Sequence, residues 1–316
     1  MKINTVCLIG GSGFIGRQIA HMLSEQGIAV RIPTRRRERV KQSLIILPTV
    51  DVVETDIHDA RALSRVIAGC DAVISLAGIL HETREGDFQR VHAELPRRIV
   101  DACRAHEIGR LVHISALAAS HDAPSNYLRS KAGGEQQIRV AQASGIRTTV
   151  FRPSVVFGRE DRFLNLFAKL AAVLPVLALA KADARFQPVY VEDLARAVVA
   201  SLANPQTYGA SFDLCGPTVY SLRELVEYVC RLTDRRRLIL PLSARMSYLQ
   251  AWAMERLPVK LMSRDNLRSM EVDNICGCDF PAVFGFTPAP LEAIAPAYLE
   301  RSGDARFQAL RGRAGR

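Results

Sequence analysis

Long apolar runs are missing from this sequence of 316 residues. A membrane-crossing helix needs about 18 or more such residues in succession, so none is expected. The nearest stretch, 163–180, is interrupted by Asn165, Lys169 and Pro175. A charged leader with a cleavage site is lacking too. The chain enters a strand-like segment at Thr5, and a cytoplasmic location is expected. Aromatic residues reach only 6%, with one tryptophan. The basic patches therefore lack interleaved aromatics, and no nucleic-acid partner is expected. Lysine is scarce: six of the 42 basic residues. The net charge of +10 is thus carried by arginine, clustered at 35–37, at 235–237 and in the tail 301–316. A phosphorylated cofactor is the expected partner of the first cluster, and the tail is expected to be flexible and solvated. The seven cysteines are odd in number and scattered, mostly within apolar runs. They suit a reduced compartment. Cys276-Gly277-Cys278 lacks the two-residue spacer and second ligand pair of a zinc site, so no metal is expected.

What remains is an ordinary globular composition, 48% hydrophobic and 23% charged. Short apolar runs alternate with amphipathic stretches, which predicts an α/β fold, a Rossmann-type doubly wound parallel sheet. Strands are expected at 5–9, 28–32, 50–54, 72–76, 111–115 and 148–151, with helices at 14–25, 88–105 and 126–142. Beyond Pro153 helical patterns recur at 163–172, 192–202 and 222–232, between Pro- and Gly-bearing turns. The expected organisation is a nucleotide-binding domain at 1–155, a smaller C-terminal substrate lobe at 156–300 interleaved with the main sheet, and the tail at 301–316. A helix at 244–257 would carry Met246, Leu249, Ala253 and Leu257 on one face, beside Trp252. With 163–180 it could line a hydrophobic pocket, fill a plain core or lie on a membrane, core being the commonest outcome.

Gly10, Gly11, Ser12, Gly13, Phe14, Ile15 and Gly16 follow the first strand and open a helix. Glycines at 10, 13 and 16 give a tight turn, a close backbone approach to pyrophosphate and close helix–strand packing. Amides at the helix N-terminus then face the negative charge. NAD selectivity usually needs an acidic residue at the end of strand two. Thr34, Arg35 and Arg36 stand there instead, and arginines pair with a 2′-phosphate, so NADP(H) is favoured over NAD(H). Asp56, with Ile57 beside it, follows strand three. Its carboxylate either accepts from the adenine amino group or caps the next helix.

Tyr127 and Lys131 stand four apart, on one face of a helix. An ammonium there would lower the phenol's pKa and suit it to exchange a proton with a substrate oxygen. Lys131 could also hold the nicotinamide ribose. Ser115, at the end of strand five, could donate to the reacting carbonyl. The expected catalytic set is Ser115, Tyr127 and Lys131.

The glycine loop with Ser115, Tyr127 and Lys131 resembles the short-chain dehydrogenase/reductase superfamily. The segments 75–80, 127–132, 156–165 and 187–193 are similar to its atypical, epimerase/dehydratase-like branch. That branch includes the nucleotide-binding accessory subunit of respiratory complex I. The resemblance implies tightly held NADPH, lined by Leu76, Ala77, Gly78, Pro153 and Ser154. It also implies an association with the respiratory membrane or with quinone metabolism, and so a hydrophobic substrate or a peripheral membrane partner. Two departures argue against sugar-nucleotide epimerase chemistry: Val91-His92 replaces the usual Val-Asn, and Tyr190 replaces a histidine. His92 is read as a satisfied core histidine ahead of a catalytic one.

Overall fold

The apolar runs of the first half are short and mostly rich in Val and Ile, as strands of a sheet covered on both faces require. In the computed structural model, which describes residues 2–44, 46–256 and 261–300, they form β1 (Thr5–Ile9), β2 (Ala29–Thr34), β3 (Val50–Glu54), β4 (Ala72–Ser75), β5 (Arg110–Ile114) and β6 (Arg147–Pro153). The basic tail expected at 301–316 and Leu257 lie outside the described residues.

A seventh strand, Ser211–Leu214, completes one sheet in the order Ser211–Leu214, β6, β5, β4, β1, β2, β3. Every neighbouring pair is parallel. Val6, Cys7, Leu8 and Ile9 of β1 are fully buried at its centre. A fully buried side chain of this size contributes about 1.5–3 kcal/mol. Strand order reverses between β1 and β4, and such a reversal opens a ligand crevice at the strands' carboxyl ends. The core on one side packs the Ala60–Ile67, Leu95–Ala105 and Asn126–Ala143 helices on β1, β4 and β5, through Leu63, Ile99, Ile138 and Leu111. The helix α1 (Phe14–Glu25) packs on the Val191–Ser201 helix.

This unit comprises Met1–Ser154, Val191–Cys215 and Cys276–Thr287. Within it Cys215 and Cys276 form a disulfide, which corrects the expectation that all seven cysteines are reduced. The spacing along the chain could not show that 276–287 returns to the first unit, where strand Ser211–Leu214 ends. Cys7, Cys70, Cys103 and Cys230 are free and buried, and Cys278 is free and exposed.

The second unit comprises Val155–Tyr190, Gly216–Ile275 and the described residues from Pro288 onward. Its core gathers Phe157, Leu164, Leu177, Leu222, Leu225 and Val229. These come largely from the Leu164–Val173 and Leu222–Leu232 helices and from a parallel strand pair, Val176–Leu179 with Leu238–Pro241. The Ala244–Met254 helix departs from expectation. Ser247 and Ala251 are its buried residues, whereas Met246, Leu249 and Trp252 are exposed. The small Ala251 side chain packs in a cluster with Ala180 and Leu267, and the large residues point outward.

Candidate active site and cofactor loop

The loop at 10–16 joins β1 to α1. Gly10 sits at φ +86, where an L side chain is strained, and a Cβ on it would meet the Leu76–Ala77 backbone at 3.0 Å. A Cβ on Gly16 would lie 2.5 Å from the Gly11 Cα, so this contact admits no side chain. Gly13 is the N-cap of α1, extended and without a side chain to cap it, so the first amides of the helix have no side-chain acceptor. Ser12 lies in the turn, and Phe14 and Ile15 open α1. An uncapped helix N-terminus behind a loop closed to Cβ atoms fits a dinucleotide pyrophosphate.

At the end of β2, Thr34 Oγ1 accepts from the Arg36 amide at 3.4 Å, and Arg35 and Arg36 are exposed. After β3, Asp56 accepts from the His58 amide at 3.0 Å. Helix Ala60–Ile67 is capped by Asp59, which accepts from the Arg61 and Ala62 amides. The capping alternative for Asp56 is thereby removed. Ile57 and Ala77 each pack against the core of this unit. Leu76 extends β4 by donating to the Ile9 carbonyl at 2.8 Å. Gly78 is exposed, with His92 Nε2 and Lys131 Nζ 3.5 and 3.9 Å from the position of a Cβ on it.

Ser115 lies one residue beyond β5, held by its amide to the Phe151 carbonyl at 2.7 Å. Leu117 repeats that pairing to Pro153 at 3.0 Å, and the Ser154 amide donates to Leu214 at 2.9 Å. The Ser115 hydroxyl is buried and has no hydrogen-bond partner among the described residues. A buried hydroxyl without a partner costs about 1–3 kcal/mol and suits a ligand oxygen.

Tyr127 and Lys131 occupy the first turns of the Asn126–Ala143 helix, which Ser125 caps through the Leu128 amide. Gly134 lets this helix approach closely: a Cβ there would lie 2.2 Å from the His92 carbonyl. That carbonyl belongs to a π-helical segment, Arg90–Glu94, inside one helical run from Asp87 to Ala105. Pro96, four residues after His92, has no amide to donate and would crowd that carbonyl in an α-helix, and the wider turn relieves this.

His92 is buried, and both ring nitrogens are engaged. The Ile79 amide donates to Nε2 at 3.0 Å, so the proton sits on Nδ1, which donates to Ser130 Oγ at 2.8 Å. Ser130 in turn donates to the Tyr127 carbonyl at 2.7 Å. Burial, with Lys131 nearby, pushes His92 down to about 2. It is a neutral core histidine that ties the Tyr127 turn to the loop after β4. Phe88 and His92 wall the Tyr127 ring at 5.9 and 5.5 Å.

Lys131 is buried and donates to the Ile114 carbonyl at 2.8 Å. Burial lowers it to about 8, against a smaller opposing pull from Glu135. Tyr127 is pushed up to about 12 by burial. This reverses the expectation of a phenol made acidic by its lysine: desolvation dominates, and the phenol keeps its proton.

Sequence reasoning missed the brace behind this pair. Glu135, buried one turn after Lys131, is gripped by Arg152 of β6 at 2.9 and 2.5 Å, and Arg152 also reaches Asp213 at 3.7 Å. The i, i+4 spacing from Lys131 was the only available signal. In the second unit, Asp161 accepts from the Phe163 and Leu164 amides and from the Tyr298 hydroxyl. The 156–165 segment therefore anchors a helix start.

A model of the NAD dependent epimerase/dehydratase family matches residues 6–214. The chain is 31% identical to mouse NADH dehydrogenase [ubiquinone] 1 alpha subcomplex subunit 9, mitochondrial, over 93% of this chain and 79% of that protein. It is 34% identical to a ceramide reductase of Caulobacter vibrioides, over 63% of this chain and 61% of that one. An epimerase structure from Methanothermobacter thermautotrophicus superposes with a TM-score of 0.74 at 17% identity, over 98% and 95% of the two chains. The sheet order, the glycine loop and these matches agree: the chain belongs to the NAD-dependent epimerase/dehydratase family, a branch of the short-chain dehydrogenases/reductases.

Proposed function

We propose that this protein is an NADP(H)-dependent oxidoreductase that interconverts a carbonyl and a secondary alcohol on a hydrophobic, quinone-related substrate. The observation that carries the reading is the Ser115 hydroxyl on the sheet's carboxyl edge, buried and without a hydrogen-bond partner among the described residues, in one unit with Tyr127, Lys131 and the glycine loop.

Residues 10–16 would hold the pyrophosphate, and Asp56 and Ile57 would flank the adenine. Thr34, Arg35 and Arg36 would meet a 2′-phosphate, which favours NADP(H) over NAD(H). Leu76, Ala77, Gly78, Pro153 and Ser154 would line the nicotinamide half, with Lys131 on its ribose. When bound, the nicotinamide supplies or accepts the hydride. Ser115 Oγ donates a hydrogen bond to the substrate oxygen, and the Tyr127 hydroxyl delivers the proton to that oxygen. The Tyr127 phenol, raised further by burial, carries a proton it can deliver to that oxygen. The likeness to a ceramide reductase supports a reductive role on a large apolar molecule.

A second reading, a non-catalytic NADPH-holding subunit of a respiratory assembly at the inner face of the membrane, is favoured by the likeness to subunit 9 over 93% of the chain. Mass spectrometry of nucleotide released from freshly purified protein separates the two. NADPH retained through dilution supports a held, structural nucleotide. Reversible micromolar binding supports turnover. A protein that binds neither nucleotide refutes both.

A further inference from the structure

The Ala244–Met254 helix is built inside out. A soluble helix buries its large apolar residues and exposes its small and polar ones. This one buries Ser247 and Ala251 and exposes Met246 (51%), Leu249 (53%) and Trp252 (40%). The strand pair before it repeats the pattern. Val176 lies beside Leu238, and Leu240 beside Ala178, and all four are exposed. Gln250 donates to the Ala178 carbonyl at 2.9 Å and ties the helix to those strands. Residues 172–176 add five successive exposed apolar positions. A patch of this extent marks an interaction surface.

The charge around it is predominantly positive, although the exposed acids Asp183 and Asp234 adjoin it in sequence. Residues 235–256 hold five arginines and a single acid, and that acid, Glu255, is bound by Arg264 at 2.8 Å. Residues 169–182 add Lys169 and Lys181 and no acid. Arg256 stacks 3.6 Å over the Trp252 ring, so a guanidinium and an indole lie at one level, as they do in the headgroup region of a bilayer.

From these observations we infer that this face of the second unit seats on an anionic lipid bilayer. Met246, Leu249 and Leu240 enter the acyl boundary. Arg245 and Arg256 meet lipid phosphates. A second copy of the chain would oppose arginines mainly to arginines, and Glu255, the one acid of 235–256, is already bound by Arg264. The inference rests on the second unit alone and does not depend on the nucleotide reading.

The test uses the full chain with vesicles of phosphatidylcholine mixed with phosphatidylglycerol, against phosphatidylcholine alone. Trp252, the single tryptophan, reports directly. The protein should float with the anionic vesicles, its emission should shift to the blue, and added salt should weaken both effects. Combining Leu240→Glu with Leu249→Glu should lower partitioning on the order of tenfold or more. Both positions are exposed, so circular dichroism should stay unchanged. Absence of flotation overturns the inference. So does binding that survives both substitutions, which would assign it to the arginine-rich tail. Self-association abolished by the same substitutions, without vesicle binding, would assign the face to a second copy and overturn it equally.

Discussion

Acid should weaken this protein before its carboxylates titrate, because it buries two neutral imidazoles. His92 and His113 are each 2% exposed. Burial, with the Lys131 charge adding to it, holds them down to about 2 and about 3. In the unfolded chain both return to about 6.5. Between the folded and unfolded values the unfolded chain takes up the proton and the folded one does not. The stabilisation is therefore complete above about pH 6.5 and is lost as the pH falls. At about pH 5 each imidazole lowers stability by about 2 kcal/mol, roughly 4 kcal/mol together. That is a large share of the roughly 5–15 kcal/mol that holds a typical domain folded. Urea melts between about pH 7.5 and about pH 5 measure the slope. His113→Leu should halve it. The same change should add about 1–2 kcal/mol at neutral pH, because neither ring nitrogen of His113 has a partner among the described residues. Equal slopes in the variant and the parent would mean that His113 is not held neutral in the folded protein.

Gly16→Ala places a Cβ 2.5 Å from the Gly11 Cα and should weaken nucleotide binding by at least about tenfold in a fluorescence titration. Arg110 is fully buried with no carboxylate partner among the described residues, donating to the Arg147 carbonyl, the Ser201 carbonyl and Thr149 Oγ1 at 2.7–2.8 Å. Arg110→Met strands those acceptors and should cost about 3 kcal/mol or more, read as a lower Tm. Replacing Arg35 and Arg36 together by alanine should weaken NADPH binding roughly tenfold or more and leave NADH binding nearly unchanged, as calorimetry would show.

The nucleotide half of the fold was legible because its signals are local. The β1–glycine–α1 unit sits at 5–25 as expected, since strand period, glycine spacing and helix start lie within one stretch. The seventh strand was not legible: Ser211–Leu214 carries Ser211 and Asp213, and it becomes a strand only by pairing with β6. The Cys215–Cys276 disulfide and the Glu135–Arg152 brace are likewise products of tertiary placement. The spacing of Tyr127 and Lys131 was readable. Their titration was not, because it depends on burial under Phe88 and His92 that only the packed π-helical segment supplies. The 244–254 helix shows the limit of periodicity, which finds an apolar face and cannot say whether that face turns inward.

Ser115, Tyr127 and Lys131 are proposed to form a working carbonyl site beside a bound nicotinamide. Its most direct test is deuterium transfer from 4-deuterated NADPH to a panel of long-chain ketones and quinones, with Tyr127→Phe in parallel. The parent protein should yield a labelled product. The variant should bind NADPH as tightly and turn over about a hundredfold more slowly or worse. Turnover by the variant at the parental rate, or a nucleotide-loaded parent that labels nothing in the panel, would contradict the proposal.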